Sequence, residues 1–484
     1  MGKMKTIVAS DGVEYEYIPF EKNKGSVGKK RIVFIGASYK FCHKVVRDML
    51  LVGGFDECEI VLLDLYKKPL KIVGDLIEKM IAQAGSSMTL KRTTDRAAAF
   101  KGADICLLSI TVGGVEADMR AAEVCAKYGI PVAVGDTLGP AALARNLRHL
   151  PVVLEIACDM ERICPRAVLI NFTNPLSSVT GVVLRETSVR AYGLCHSVED
   201  LSTWFGRLYG CAGRDVEMTS GGVNHMSFIT SIKVRGREKI DSALEDTASS
   251  EAGIVDSLLG RVETAEVQRE IYKVLGVWPS TGGEHAAEFF PEFLEKKRRE
   301  ELGLHVKKIR RNRKPFKPTK EPPEIIMKWA YGDGPVEDME MLTTEFAHEL
   351  MWAVIKGDPD RRVVNVLNKG AVAGVSADAC VEIWATITKK GERREKITLP
   401  PACTALLQQW TTIHELTYRA ALDGDRQAAR EALVLDPHLR DIRDVDPILD
   451  DFTKRLGRWM PKFAEKAGRP KGRSRKAPQA EIRN

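Results

Sequence analysis

The chain has 484 residues, of which 44% are apolar and 29% charged, with a net charge of +7. That length can bury one large core or two to three smaller ones, and that balance is ordinary for a soluble globular enzyme. No apolar run approaches the roughly 18 residues of a membrane span, no nucleic-acid module accompanies the basic residues, and ten cysteines without a CxxC spacing are not a disulfide scaffold.

The opening segment, 1–29, is polar and reads as an extension with no signal-like apolar stretch, so a cytoplasmic enzyme is expected. Arg31–Ile35 then reads as a buried strand, followed by Gly36-Ala37-Ser38 and an amphipathic helix from about Phe41 to Leu51. Further strands are expected at Glu59–Asp64, Asp104–Ile110, Val132–Val134 and 167–171. Helical periodicity fills 67–83, 116–128 and 139–163. This alternation predicts an α/β fold, a doubly wound parallel sheet over roughly 30–200.

The second half has a different pattern. Residues 215–235 read as antiparallel strands. Segments 250–275, 336–356 and 401–434 read as helices, and Val363–Val366 and Ala379–Ile383 as short strands. Residues 302–320 carry eight Lys/Arg and no acid, and 461–484 carry a net +6, so the rest of the chain sums to −7. A flexible basic insertion (302–323) and a basic tail (459–484) are expected around a mildly acidic body. The expected domains are therefore 30–200 and 201–458.

Two places carry chemistry. Gly36-Ala37-Ser38 lies between a strand and a helix, where unpaired N–H groups and the helix dipole favour a pyrophosphate. Asp64, at the end of the second strand, is placed to hold ribose hydroxyls, and its charge favours NAD over a 2′-phosphorylated cofactor. Farther on, Cys195 closes the run Val189–Leu194, and His225 follows two glycines. A thiolate and an imidazole are the softer protein metal ligands. Two ligands are too few for a closed structural zinc site and leave room for substrate oxygens on an octahedral ion such as Mn²⁺. A dinucleotide turn and such a pair suggest redox chemistry at a metal-held alcohol.

Several longer motifs resemble glycoside hydrolase family 4, the NAD- and metal-dependent glycosidases of the lactate/malate dehydrogenase-like fold. They are Asn171-Phe172-Thr173-Asn174-Pro175, Gly193-Leu194-Cys195-His196, Val223-Asn224-His225, and Gly283-Glu284-His285 through Glu288-Phe289-Phe290-Pro291. Asn365–Gly370, Val381-Glu382 and Leu435-Asp436-Pro437 also match. The likeness covers roughly 31–290 and 336–455 and leans toward the α-galactoside and α-galacturonide branch. It implies Gly36, Ala37, Ser38, Asp64 and Asn171 at NAD; Cys195 and His225 at the cation; and Asn174, His196, Asn224 and Glu288 at the sugar. His285 is the first-ranked base for the C2 proton, before Glu284 and Tyr272. The turn lacks the family's usual further glycine, Val381-Glu382-Ile383-Trp384 replaces Val-Glu-x-Pro, and Phe289 or Phe290 stands where a tyrosine is common.

The resemblance implies hydrolysis of an α-hexoside or α-hexuronide by transient oxidation at C3, loss of the C2 proton, elimination at C1 and addition of water. Family 4 thus stands apart from two-carboxylate glycosidases. It further implies a homodimer or homotetramer that binds a small carbohydrate and neither nucleic acid nor membrane. An NAD-dependent dehydrogenase of a hydroxy acid or polyol is the alternative reading.

Overall fold

The computed structural model describes residues 23, 25–248, 265–307 and 321–467, apart from 338, 340, 341, 344 and 345. It also describes four short strands, Lys5–Val8, Glu14–Tyr17, Ile254–Asp256 and Arg261–Glu263. The runs 308–320 and 468–484, the bulk of the two basic segments, and most of the N-terminal extension lie outside the described residues.

Six parallel strands form the first half: β1 (Arg31–Ile35), β2 (Glu59–Leu63), β3 (Thr89–Thr93), β4 (Ile105–Leu108), β5 (Val168–Asn171) and β6 (Arg190–Gly193). Their spatial order is 3-2-1-4-5-6, the doubly wound arrangement whose crevice opens between the first and fourth strands. β1, β2, β4 and β5 are almost wholly buried, which explains their unbroken apolar runs. β3 is the edge strand. Its sequence, TLKRT, is half exposed and carries no such run, so apolar patterning alone misses it.

The second half continues the same sheet. β7 (Val216–Val223) and β8 (Met226–Val234) form a hairpin, and β9 (Asp360–Leu367) pairs with β10 (Cys380–Thr388). β9 joins β6 at Asn365↔Gly193, and β10 joins β7. The result is one 13-stranded sheet, parallel on one side and antiparallel on the other. It crosses the boundary expected near residue 200 without interruption. The Rossmann-like fold with a C-terminal α+β portion is as expected.

One row of partners crosses ten of these strands: Thr93, Leu63, Ile35, Leu108, Asn171, Gly193, Asn365, Glu382, Gly222 and Ser227. Gly36, Asp64, Asn174 and Cys195 follow that row within three residues at the ends of the parallel strands; His225 follows it by three on β7, which runs the other way, and Asp136 joins Asn174 to His225.

Four local expectations are corrected. Val132–Val134 is not a strand but part of a loop, because Pro131 and Gly135 bound it and its backbone groups bond to Lys307 and Glu288. Among the described residues the expected helix 250–275 is helical at Glu266–Leu275 and includes two short strands, Ile254–Asp256 and Arg261–Glu263, its remaining residues up to 264 lying outside the described ones, and 336–356 is helical at Ala347–Lys356. The 401–434 pattern is two helices, Pro401–Asp423 and Arg426–Leu435: Gly424 turns left-handed, and Asp425 caps the second by accepting from Gln427 N and Ala428 N. Both basic segments begin as ordered structure. Leu302, Leu304 and Val306 pack on the core, and Phe463 is buried in helix Pro461–Ala467.

Candidate active site

The dinucleotide turn is assembled as expected. Gly36 has φ +98, and a Cβ there would collide with the Ser109 carbonyl at the end of β4. Only glycine fits, because two strand ends converge at the crevice. Ala37 N donates to Asp64 Oδ2 at 2.8 Å, which ties the turn to the acid after β2. The helix Cys42–Val52 begins six residues after Gly36, so its N-terminal turn follows directly on the glycine turn. These features fit a bound pyrophosphate and ribose.

At the other end of the row, β7 and β8 turn on Asn224-His225 alone. His225 takes the left-handed conformation, φ 67, which for a non-glycine residue marks a constraint. Gly222 makes the tight hairpin possible, since a Cβ would meet the Met226 backbone. Behind the turn lies a buried polar network. Glu382, with no exposed surface, accepts from Asn224 Nδ2 (3.2 Å), Asn365 Nδ2 (3.0 Å) and Ser227 Oγ (2.8 Å). Ser177 Oγ donates to Asn365 Oδ1 and accepts from Asn224 N. Burial raises the Glu382 carboxyl, and these donors work against that rise. Because Asn224 spends its NH₂ on Glu382, its Oδ1 points elsewhere, and that fully buried oxygen has no partner among the described residues. It is an acceptor suited to a sugar hydroxyl or a cation.

His225 is 2% exposed. Its Nδ1 lies 3.1 Å from Thr137 Oγ1 and 3.6 Å from Asp136 Oδ1. The His285 ring stands edge-on to it, with centroids 4.8 Å apart. Burial alone would lower the His225 pKa, but Asp136 and Glu382 raise it above the usual histidine value. Burial likewise opposes the charge on Asp136, yet His225, Arg145 and His285 hold its carboxyl well below the usual range. Asn174 Nδ2 donates to Asp136 Oδ2 at 2.9 Å, so Asn174, Asp136, His225 and His285 form one cluster. Cys195 follows β6. Burial, then Glu382, push its thiol up to about 12, so a bound cation would be needed to draw off its proton at neutral pH. His196 Nδ1 faces Asp200 Oδ2 at 2.5 Å. Among the described residues no three His, Cys, Asp or Glu side chains gather as a ready-made metal site.

The loop carrying Asp136 and Thr137 is clamped from three sides. Glu288 Oε1 accepts from Val134 N and Gly135 N, Asp436 Oδ2 accepts from Gly139 N, and Lys307 N and Nζ donate to the Val132 and Val134 carbonyls. Glu288, expected at the sugar, thus spends a carboxylate oxygen on this loop. Glu284 Oε1 accepts from His305 N. Tyr272 lies apart, its hydroxyl on the Ile240 carbonyl and its ring against Trp278 in a second apolar cluster. Asn171 is fully buried; its amide bonds Thr173 N, the Thr173 carbonyl and Thr180 Oγ1, so its side chain shapes the turn after β5. Asp136, Thr137, Asn365 and Glu382 were not foreseen at the site. The available signal was Asp136-Thr137 between Gly135 and Gly139, and one carboxylate inside the apolar run Cys380–Ala385.

Two family models match the chain. The Family 4 glycosyl hydrolase model covers residues 31–205, and its C-terminal domain covers 220–439. An alpha-galactosidase of Bacillus subtilis (strain 168) is 27% identical over 449 residues, spanning 90% of this chain and all of the relative. An alpha-galacturonidase of Thermoanaerobacter italicus is 26% identical over 386 residues, spanning 71% of this chain and 78% of the relative. Among solved structures, a 6-phospho-alpha-glucosidase from gut microorganisms, in complex with NAD and Mn²⁺, superposes with a TM-score of 0.74 at 18% identity. The superposition covers 89% of this chain and 99% of the other.

Proposed function

The chain belongs to the family 4 glycosyl hydrolases and is a glycosidase; from that premise we propose that it hydrolyses α-hexosides or α-hexuronides using NAD and a divalent cation, Mn²⁺ in this reading. The observation that carries the proposal is the single row of strand partners with the Gly36–Asp64 turn near one end and Cys195 and His225 near the other. From the Asp64 strand to the Cys195 strand is four strand spacings, roughly 19 Å, a span suited to a dinucleotide reaching from ribose to glycone. Bound NAD would supply reversible oxidation at C3 of the glycone, and the cation would supply Lewis acidity.

The chain's own residues then have distinct tasks. Gly36, Ala37 and Ser38 let backbone approach the pyrophosphate, Asp64 holds ribose hydroxyls, and Asn171 keeps the neighbouring turn in shape. Cys195 and His225 hold the cation. Asn174, Asn224 and His196 bind glycone hydroxyls and fix C2 and C3 in register. His285, packed on His225 and 6% exposed, takes the C2 proton once C3 is oxidised, and the C1 oxygen leaves. His285 ranks ahead of Glu284 and Tyr272 because its ring packs on His225, whereas the Tyr272 hydroxyl lies on the Ile240 carbonyl. Glu288 holds the Asp136 loop beside the glycone.

Turnover of a panel of nitrophenyl α-hexosides and α-hexuronides in D₂O, with NAD⁺, Mn²⁺ and reductant, tests the reading. Released sugar should carry deuterium at C2 without net NADH. Full turnover in excess EDTA without NAD⁺, or hydrolysis that leaves C2 protiated, would overturn the mechanism. Accumulating NADH would instead mark a dehydrogenase.

A further inference from the structure

Resting on the assignment of His225 to the cation, we propose that Thr137 and Asp136 are positioning residues that fix the His225 tautomer, keeping the proton on Nδ1 and leaving the Nε2 lone pair for the ion. Thr137 has one hydroxyl proton, and two neighbours compete for it. Oγ1 lies 3.2 Å from Asp136 Oδ1 and 3.1 Å from His225 Nδ1. The Asp136 carboxylate already accepts from Asn174 Nδ2 through Oδ2, and Arg145 approaches it at 3.7 Å. It is therefore an acceptor, and the hydroxyl donates to it in the stronger, charge-assisted bond. Thr137 Oγ1 is then left only lone pairs toward His225, so Nδ1 must be the donor. Asp136 Oδ1, 3.6 Å from Nδ1, favours the same choice electrostatically. The opposite tautomer would set two lone pairs against each other in a buried site and leave a hydrogen bond unmade.

The scaffold is built to hold this arrangement. The His225 main chain is held in place: its backbone turns left-handed on the two-residue hairpin, and its carbonyl accepts from Thr281 Oγ1 at 2.6 Å. The Asp136–Thr137 loop is pinned from outside by Glu288, Lys307 and Asp436. A histidine ligand whose second nitrogen is held by a carboxylate or hydroxyl is the usual way a protein orients an imidazole toward a metal. Here the carboxylate acts through the threonine hydroxyl, which also sets how far the ring can tilt.

The test is Mn²⁺ binding to the full chain, followed by electron paramagnetic resonance without NAD or substrate, with thermal midpoints recorded for every variant. Wild type should show a saturable site and His225→Ala should lose it. Thr137→Val keeps the shape and removes the hydroxyl, and should weaken Mn²⁺ binding about 10–100-fold, while Thr137→Ser should stay within about threefold of wild type. Should Thr137→Val fail to fold, Asp136→Asn serves in its place with the same expected loss. Equal Mn²⁺ affinity in wild type and the Val or Asn variant would overturn the tautomer proposal while leaving the cation site standing. Undiminished binding in His225→Ala would overturn the cation assignment itself.

Discussion

From Arg31 to Leu108, β1 to β4, the strands are parallel, and what their ends offer the proposed cofactor is mainly backbone: the Gly36–Ser38 turn, a helix N-terminus and one acid after β2. Asn174 and Cys195, by contrast, follow β5 and β6 as side chains of the proposed sugar and cation site. From Val216 to Thr388 the strands are antiparallel, and their ends offer side chains. Asn224 and His225 stand on a two-residue turn, backed by Glu382, Asn365, Ser177 and Ser227 without a water-exposed member. Backbone groups keep their positions as long as the strands do. Side chains must be oriented individually, each by a partner that needs its own partner. The substrate half is therefore expected to be the more easily disabled by conservative substitutions.

The sharpest test of that contrast is at the cation. Cys195→Ser and His225→Ala should each lower kcat/KM about a thousandfold or more, several kcal/mol of transition-state stabilisation, while thermal midpoints move by only a few degrees. EDTA should reproduce the loss in wild type, with Mn²⁺ restoring it. Next, Glu382→Gln should lower kcat about a hundredfold and stability by about 2–3 kcal/mol, because the new NH₂ faces groups that are already donors. If Glu382→Gln is silent, the buried network is not what orients the substrate half.

On the cofactor side, Gly36→Ala should raise the KM for NAD⁺ about tenfold or more through backbone strain, with kcat at saturation far less affected. A kcat collapse with unchanged KM would break the proposed division of labour.

Acid tests whether the halves act as one. Burial lowers His43 and His149 on the parallel side, and His348 on the other, to about 3, and His414 to about 4, from 6.5. The unfolded chain binds these protons first, so stability is full above pH 6.5 and falls as pH drops toward 4. His225 and His438, whose pKa values are raised, offset part of that loss. A continuous sheet predicts one cooperative acid transition by circular dichroism and fluorescence; two separated transitions would show independent halves. The smallest effect is expected at the C-terminus. Removing 468–484 should leave kcat within about twofold, whereas Phe463→Ala should cost about 3–5 kcal/mol of stability.

The unbroken apolar runs of β1, β2, β4 and β5 announced a parallel sheet, because strands buried on both faces have no polar side to display. The approach of the Gly36-Ala37 turn to Asp64 could likewise be read from residue type and position at strand ends. Edge strand β3, half solvated, carried no such mark. Val132–Val134 carried it falsely, since a loop clamped against the core is as apolar as a strand. What residue order alone determined was the buried parallel strands β1, β2, β4 and β5 and which residues follow them. Only the tertiary structure decided that β9 and β10 insert between β6 and β7, placing Asn365 and Glu382 behind the Asn224 turn. It also decided that Asp136 and Thr137 face His225. These contacts join residues 88 and 158 positions apart, and pairing at such separations is selected by burial of the whole sheet and satisfaction of its polar groups, quantities that no local window contains.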